Sequence, residues 1–251
     1  MKYLFLSVPN RSGSTLLHNL ISKSPNVTTL PVRQDLIQYF GEYFVEGSMY
    51  SGHSFQLKLM EGLNAVMPDS IRNDAFYTPL DIRKQVFDEL FEDKSAPVRL
   101  QKTFYDMFRI PSITRSYDGN LRWVAMMRNP YTQIQSIINY GDRFSFDNIV
   151  THVVECIKQQ YNNLHEYGDI IHYMKYEDLC NFPSDEMRKL CEFMPELGHI
   201  DIPESIGVKK RVGPITPISL TTDPAIEDIK IRAYDELKKC ETELNFLGYS
   251  L

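Results

Sequence analysis

The chain has 251 residues, 43% hydrophobic and 24% charged, apolar enough to bury a sizeable core and unlike a disordered or collagen-like polymer. Its 27 basic and 33 acidic side chains leave a formal charge of −6, so no global positive field draws nucleic acid or an anionic lipid surface. Any bound anion must then be held by a local cluster. The four cysteines, Cys156, Cys180, Cys191 and Cys240, include no C-x-x-C pair, so neither a disulfide framework nor a zinc ribbon is expected.

Residues 3–8, YLFLSV, form a short apolar run of strand formers, followed by punctuation over 9–15 and then Leu16, Leu17, Leu20 and Ile21 at helical spacing. This predicts strand, tight loop and helix. A second short strand is expected at 27–30. The pattern over 35–93 is mostly helical, with breaks near 47–52, Pro68 and Pro79. Strands follow at 98–101 and 121–127, the latter bounded by Asp118-Gly119-Asn120 and Arg128-Asn129-Pro130. A long amphipathic helix carries Phe146, Ile149, Val150, Val153, Ile157, Tyr161 and Leu164 on one face. Then come a strand at 169–175, a helix at 186–193, a loop at 203–222 and a last helix from Ile226 to Leu247. Alternating strands and helices predict an α/β fold of three layers, a mostly parallel central sheet with helices on both faces. One domain over 1–251 is expected, since no repeat or linker divides it. The N-terminal apolar run is too short for a secretion signal and no stretch of about 18 apolar residues occurs, so a soluble, cytoplasmic chain with no membrane partner is expected.

In such a sheet, ligands bind at the carboxyl ends of the strands. The loop Pro9-Asn10-Arg11-Ser12-Gly13-Ser14-Thr15 lies at such an end and opens a helix. Helix N–H groups with the dipole behind them attract an anion. Gly13 permits close backbone approach, Ser14 and Thr15 add hydroxyl donors, and Arg11 adds a forked cation. The plain alternative is an N-cap, in which Ser12 or Ser14 satisfies orphan N–H groups. A cap needs one such residue and no Arg, which favours an anion.

The loop is not a Walker A sequence, for it lacks both the first Gly and the Lys. The strand RWVAMM ends in Arg128 rather than in an Asp for Mg²⁺, which disfavours a divergent kinase using Mg-ATP. Arg128 and Ser136, eight residues apart across a strand end and a helix, can hold a second phosphate from opposite sides. Alone, they read as an ion-pair partner and a solvated serine.

Together, R-S-G-S-T after one strand and R-N-P-x-x-x-x-x-S after a later one resemble the sulfotransferases that use 3′-phosphoadenosine 5′-phosphosulfate (PAPS). The Arg form of the loop is most similar to the protein-tyrosine and carbohydrate branch. Met174-Lys175-Tyr176-Glu177-Asp178-Leu179 and the ending Phe246-Leu247-Gly248-Tyr249 are also similar to family segments. The resemblance implies a P-loop NTPase-like fold and a metal-independent transfer of a sulfuryl group to a hydroxyl or amine. The acceptor would be a small molecule, carbohydrate or peptide, and the product nucleotide adenosine 3′,5′-bisphosphate. It places Arg11, Ser12, Gly13, Ser14 and Thr15 on the 5′-phosphosulfate, Arg128 and Ser136 on the 3′-phosphate, and Tyr176 by the adenine. It implies a helical acceptor-side insertion over about 35–95.

Lys102, at the end of a short strand, is the second candidate for stabilising the transferred group, or else a solvated lysine. The resemblance implies a base that this chain lacks: Phe104 stands where cytosolic members have a His after the Lys-Thr pair, and no Glu lies about twenty residues beyond Arg11, where the protein-tyrosine branch has one. Asp35 is the nearest carboxylate and could act as base if burial raised its pKa, although it equally suits the N-cap of a helix over 36–45. His18 and His53 are lesser candidates. The resemblance implies that Arg211, in Lys209-Lys210-Arg211-Val212-Gly213, closes over the 3′-phosphate, a solvated charge run being the alternative. Tyr39, Phe40, Tyr43, Phe44, Tyr50 and Phe55 line either an acceptor pocket or the core. A non-catalytic nucleotide-binding relative is the remaining alternative.

Overall fold

The computed structural model describes residues 1–29, 88, 91, 93–103, 106–108, 110–140, 144–208, 211–215 and 224–251. Most of the expected helical insertion, with Asp35, His53 and the aromatic residues from Tyr39 to Phe55, lies outside these, as do Phe104, Lys209 and Lys210.

Strand β1 (Lys2–Ser7) leads through a loop into helix α1 (Ser14–Ile21) and the short β2 (Val27–Thr28). Later come β3 (Val98–Thr103), α2 (Ile110–Ser116), β4 (Leu121–Met127), α3 (Pro130–Ile138), α4 (Phe146–Tyr167) and β5 (Ile171–Lys175). The strands form one sheet in the order β2-β3-β1-β4-β5, and every neighbouring pair is parallel. This is the α/β sheet that the sequence predicts.

β1 and β4 are apolar on both sides because both sides are covered. Leu4, Leu6, Val98, Leu100, Val124 and Met126 pack under Leu16, Leu17, Leu20 and Ile21 of α1. On the opposite face Tyr3, Phe5 and Trp123 pack against Ile110, Ile113 and Tyr117. Full burial of each such side chain contributes about 1.5–3 kcal/mol before entropy is counted. A third cluster joins α3 and α4 to α7 (Pro224–Lys238) and α8 (Glu241–Phe246) through Ile134, Val153, Ala233 and Leu244.

Three local expectations are corrected. The segment expected as a loop contains a hairpin, β6 (Ile206–Val208) against β7 (Arg211–Gly213). The last helix is two, broken between Lys238 and Glu241, with Cys240 outside helical geometry at φ −126°. The helical spacing of apolar residues runs straight through that break and hides it. Tyr176 begins a short helix, α5 (Tyr176–Asn181), which is followed by α6 (Pro183–Phe193), longer than expected at its start. All four cysteines are free thiols. Among the described residues, no helix is long and apolar enough to cross a membrane.

Register positions the site. Ser7 of β1 lies beside Thr103 of β3 on one side and Ala125 of β4 on the other. β1 and β3 therefore leave the sheet at one level, and β4 runs two residues further, to Met127. β1 is also where the chain order reverses direction across the sheet, the place at which open α/β sheets form their ligand crevice.

Candidate active site

The loop after β1 does not fold as a side-chain cap. Helix α1 has Gly13 at its N-cap, with φ 93° and ψ 13°, and no side chain accepts from its first turn. Arg11 is also in the left-handed region, at φ 64°. The Ser12 amide donates to the Pro9 carbonyl at 3.2 Å, which closes the turn. Ser12 Oγ is fully buried and has no partner, so the capping role open to it in sequence is not taken. A buried hydroxyl left unpaired beside uncapped N–H groups is the chemistry of a site that takes a polar ligand.

Glycine is required at position 13. A Cβ there would lie 2.4 Å from Tyr176 Cδ2 and 2.5 Å from Cε2, besides meeting the positive φ. Tyr176 thus packs its ring onto the loop from the end of β5. Burial pushes the Tyr176 phenol up to about 12, against the opposing pull of Arg128.

Arg128 leaves the end of β4 and reaches the same loop. Its Nη1 donates to the Arg11 carbonyl at 3.3 Å, its Nε donates to Thr132 Oγ1 at 3.0 Å, and its guanidinium lies 4.8 Å from the Tyr176 ring centre. Helix α3 starts directly after it, as the sequence predicts: Asn129 Oδ1 accepts from the amides of Tyr131 at 3.1 Å and Thr132 at 3.3 Å, with Pro130 next. One and two turns along, α3 supplies Gln133 and Ser136. Gln133 donates to the Asn10 carbonyl at 2.9 Å, and Ser136 Oγ accepts from Arg11 Nε at 3.1 Å. The Arg11 guanidinium also sits 4.6 Å from the Tyr140 ring centre.

Lys102 reaches the loop from β3, where Nζ donates to Thr15 Oγ1 at 2.9 Å. Neither Arg11 nor Arg128 has a carboxylate partner among the described residues; their contacts are hydroxyls, a carbonyl and aromatic faces. Two half-buried guanidiniums left without a counter-ion on a loop of uncapped N–H groups select an anion.

The structure brings Arg11, Ser12, Gly13, Ser14, Thr15, Lys102, Arg128, Ser136 and Tyr176 to one place. Arg211 opens β7, and its side chain lies outside the description. His18 stands one turn after Thr15; burial, with Lys102 adding to it, pulls its imidazole down to about 4. Its Nδ1 lies 3.3 Å from Asn19 Oδ1.

Sequence reasoning missed Thr132 and Gln133, and it named Glu177 and Tyr249 only within segments similar to the family, with no role for either. The first two carry a signal, since they sit one turn beyond Arg128 and Asn129 on a helix whose start is legible. Glu177 accepts the Asn129 amide at 2.8 Å and lies 2.8 Å from Tyr249 Oη, contacts between distant segments.

The parallel α/β sheet thus carries two cations, Arg11 and Arg128, beside the ends of adjoining strands. A sequence model described as "Sulfotransferase family" matches residues 4–196, and the chain belongs to that family. No curated protein matches. Among solved structures, the chain is similar to a sulfotransferase from Alicyclobacillus acidocaldarius, with a TM-score of 0.59 and 14% identity, covering 100% of this chain and 97% of that one. It is also similar to the sulfotransferase domain of the Synechococcus PCC 7002 olefin synthase, with a TM-score of 0.56 and 19% identity, covering 94% of each chain. At these identities the likeness is one of fold.

Proposed function

We propose that this protein transfers a sulfuryl group from PAPS to a hydroxyl or amine of a small-molecule, carbohydrate or peptide acceptor. The observation that carries this reading is the pair of guanidiniums, Arg11 and Arg128, that meet on one uncapped loop without a carboxylate between them. A ligand with two separated phosphate groups neutralises both, and a ligand with one leaves the second cation buried at a cost.

The residues divide the work by position. The amides of the loop and the hydroxyls of Ser12, Ser14 and Thr15 bind the 5′ end, and Arg128 and Ser136 bind the 3′-phosphate. Tyr176 presents its ring to the adenine and Arg211 closes over the nucleotide from the hairpin. PAPS supplies the sulfuryl group. The acceptor oxygen or nitrogen forms its bond to sulfur as the bond from sulfur to the 5′-phosphate oxygen breaks. The electron pair leaves with that oxygen, where Arg11 and the α1 amides stabilise the developing charge. Lys102 does the same for the sulfuryl oxygens. The acceptor proton goes to a base, for which Asp35 is the candidate.

The test is release of adenosine 3′,5′-bisphosphate from PAPS with a panel of phenol, alcohol, sugar and tyrosyl-peptide acceptors, run beside Mg-ATP. Acceptor-dependent release without metal supports the reading, and phosphoryl transfer from Mg-ATP contradicts it. Release without transfer to any acceptor favours a non-catalytic relative. Unchanged turnover in Asp35→Asn, with nucleotide binding intact, dismisses Asp35 as base.

A further inference from the structure

Two segments of the site have no role in the proposed chemistry: the glutamate after Tyr176 and the tyrosine near the end of the chain. They meet. Tyr249 Oη lies 2.8 Å from Glu177 Oε2 and 3.0 Å from the Met127 carbonyl oxygen. The other carboxylate oxygen, Glu177 Oε1, accepts the Asn129 amide at 2.8 Å. The turn that carries Tyr249 is itself tied down, because the Tyr249 amide donates to the Leu244 carbonyl at 2.9 Å and the Tyr173 hydroxyl donates to the Leu247 carbonyl at 2.8 Å.

The two backbone groups so held are the ones on either side of Arg128. The Met127 carbonyl belongs to the peptide plane before the Arg128 Cα, and the Asn129 amide belongs to the plane after it. Peptide units are rigid, so fixing both planes fixes the φ and ψ of Arg128 and the direction in which its side chain leaves the strand. From there the Arg128 side chain is held along the loop by Thr132, the Arg11 carbonyl and the Tyr176 ring. The hydroxyl of Tyr249 has one proton and two acceptors within reach, so it bridges the strand end and the carboxylate as a single unit. Tyr249 is buried, and its hydroxyl also meets that of Tyr173, which is itself tied to the Leu247 carbonyl.

We infer that Glu177 and Tyr249 are positioning residues that aim Arg128 at the 3′-phosphate and so set the preference for a 3′-phosphorylated nucleotide. The inference rests on the sulfotransferase reading and extends it from the residues that touch nucleotide to a pair behind them. Neither residue reaches the ligand in this account. Their effect passes wholly through Arg128.

The experiment is a double-mutant cycle read by calorimetric titration with adenosine 3′,5′-bisphosphate and, separately, adenosine 5′-monophosphate. Tyr249→Phe is expected to weaken the bisphosphate about three- to tenfold and to leave the monophosphate within twofold. In an Arg128→Ala background the same change is expected to cost nothing further, because the group it aims is gone. A merely structural role would lower affinity for both nucleotides and would persist in the Arg128→Ala background, and either result overturns the inference. Should Tyr249→Phe fail to fold, Glu177→Gln reads the same contacts by the same criteria. A wild type that prefers the bisphosphate beside a Tyr249→Phe variant that prefers it equally overturns the inference alone. A wild type that does not distinguish the two nucleotides overturns the sulfotransferase reading as well.

Discussion

Arg11 Nε donates to Ser136 Oγ at 3.1 Å, joining the loop after the first strand to a helix 125 residues further along. The loop and the Arg128 segment are therefore one site even before a ligand is considered. Ser136 is expected to matter both as a ligand donor and as the group that holds Arg11 in place. Ser136→Ala should weaken adenosine 3′,5′-bisphosphate by about three- to tenfold, the net worth of one ordinary hydrogen bond. Titration calorimetry checks this, and an unchanged affinity would remove Ser136 from the site.

Lys102 is placed differently. It touches Thr15 and reaches the site from β3, on the other side of β1 from Arg128. A cation that acts on the transferred group contributes more in the transition state than in the bound ground state. Lys102→Ala should then slow turnover of PAPS at least a hundredfold while changing bisphosphate affinity less than threefold. Parallel losses in both quantities would make Lys102 a binding residue only.

Gly13 has no tolerated replacement. Alanine there meets a φ of 93° and two ring carbons of Tyr176 within 2.5 Å. The left-handed backbone alone costs about 1–2 kcal/mol, and the ring must also move. Gly13→Ala should lower the melting temperature and abolish bisphosphate binding. A variant with wild-type melting and binding would show that Tyr176 does not rest on the loop.

Much of this was legible in the sequence because its signals are local. β4 spans Leu121–Met127 in the structure and in the pattern alike, since an apolar run bounded by turn residues has one reading. The start of α3 follows from Asn129 and Pro130 alone. The hairpin at 206–213 gave no such signal, because three-residue strands show no usable alternation and Gly207 and Gly213 weaken what there is. The Ser12 hydroxyl could be read as a cap, and only the backbone at Gly13 decides against that. The contact between Glu177 and Tyr249 spans 72 residues, and no periodicity in either segment points to the other.

His18 gives the protein a dependence on acid. Its imidazole is held down to about 4 from an ordinary 6.5 by burial first, with Lys102 lowering it further against a contact with Asn19. Between those values the unfolded chain binds a proton that the folded chain does not, so stability falls as pH falls from about 6.5 toward 4. The contribution lost is on the order of 1–3 kcal/mol. Burial lowers His152 and His172 as well, so they add to the same trend. His18→Gln should melt with a visibly shallower dependence on pH between 7 and 5 than the wild type. Parallel curves would show that His18 titrates normally.

The central claim is a site for two phosphate groups, one of them held by Arg128. It is tested most directly by calorimetric titration of wild type and Arg128→Ala with adenosine 3′,5′-bisphosphate and with Mg-ATP. The wild type is expected to bind the bisphosphate at micromolar concentration and the variant to lose tenfold or more, which is ~1.4 kcal/mol or more. Tight binding of Mg-ATP instead, indifferent to Arg128, would contradict it.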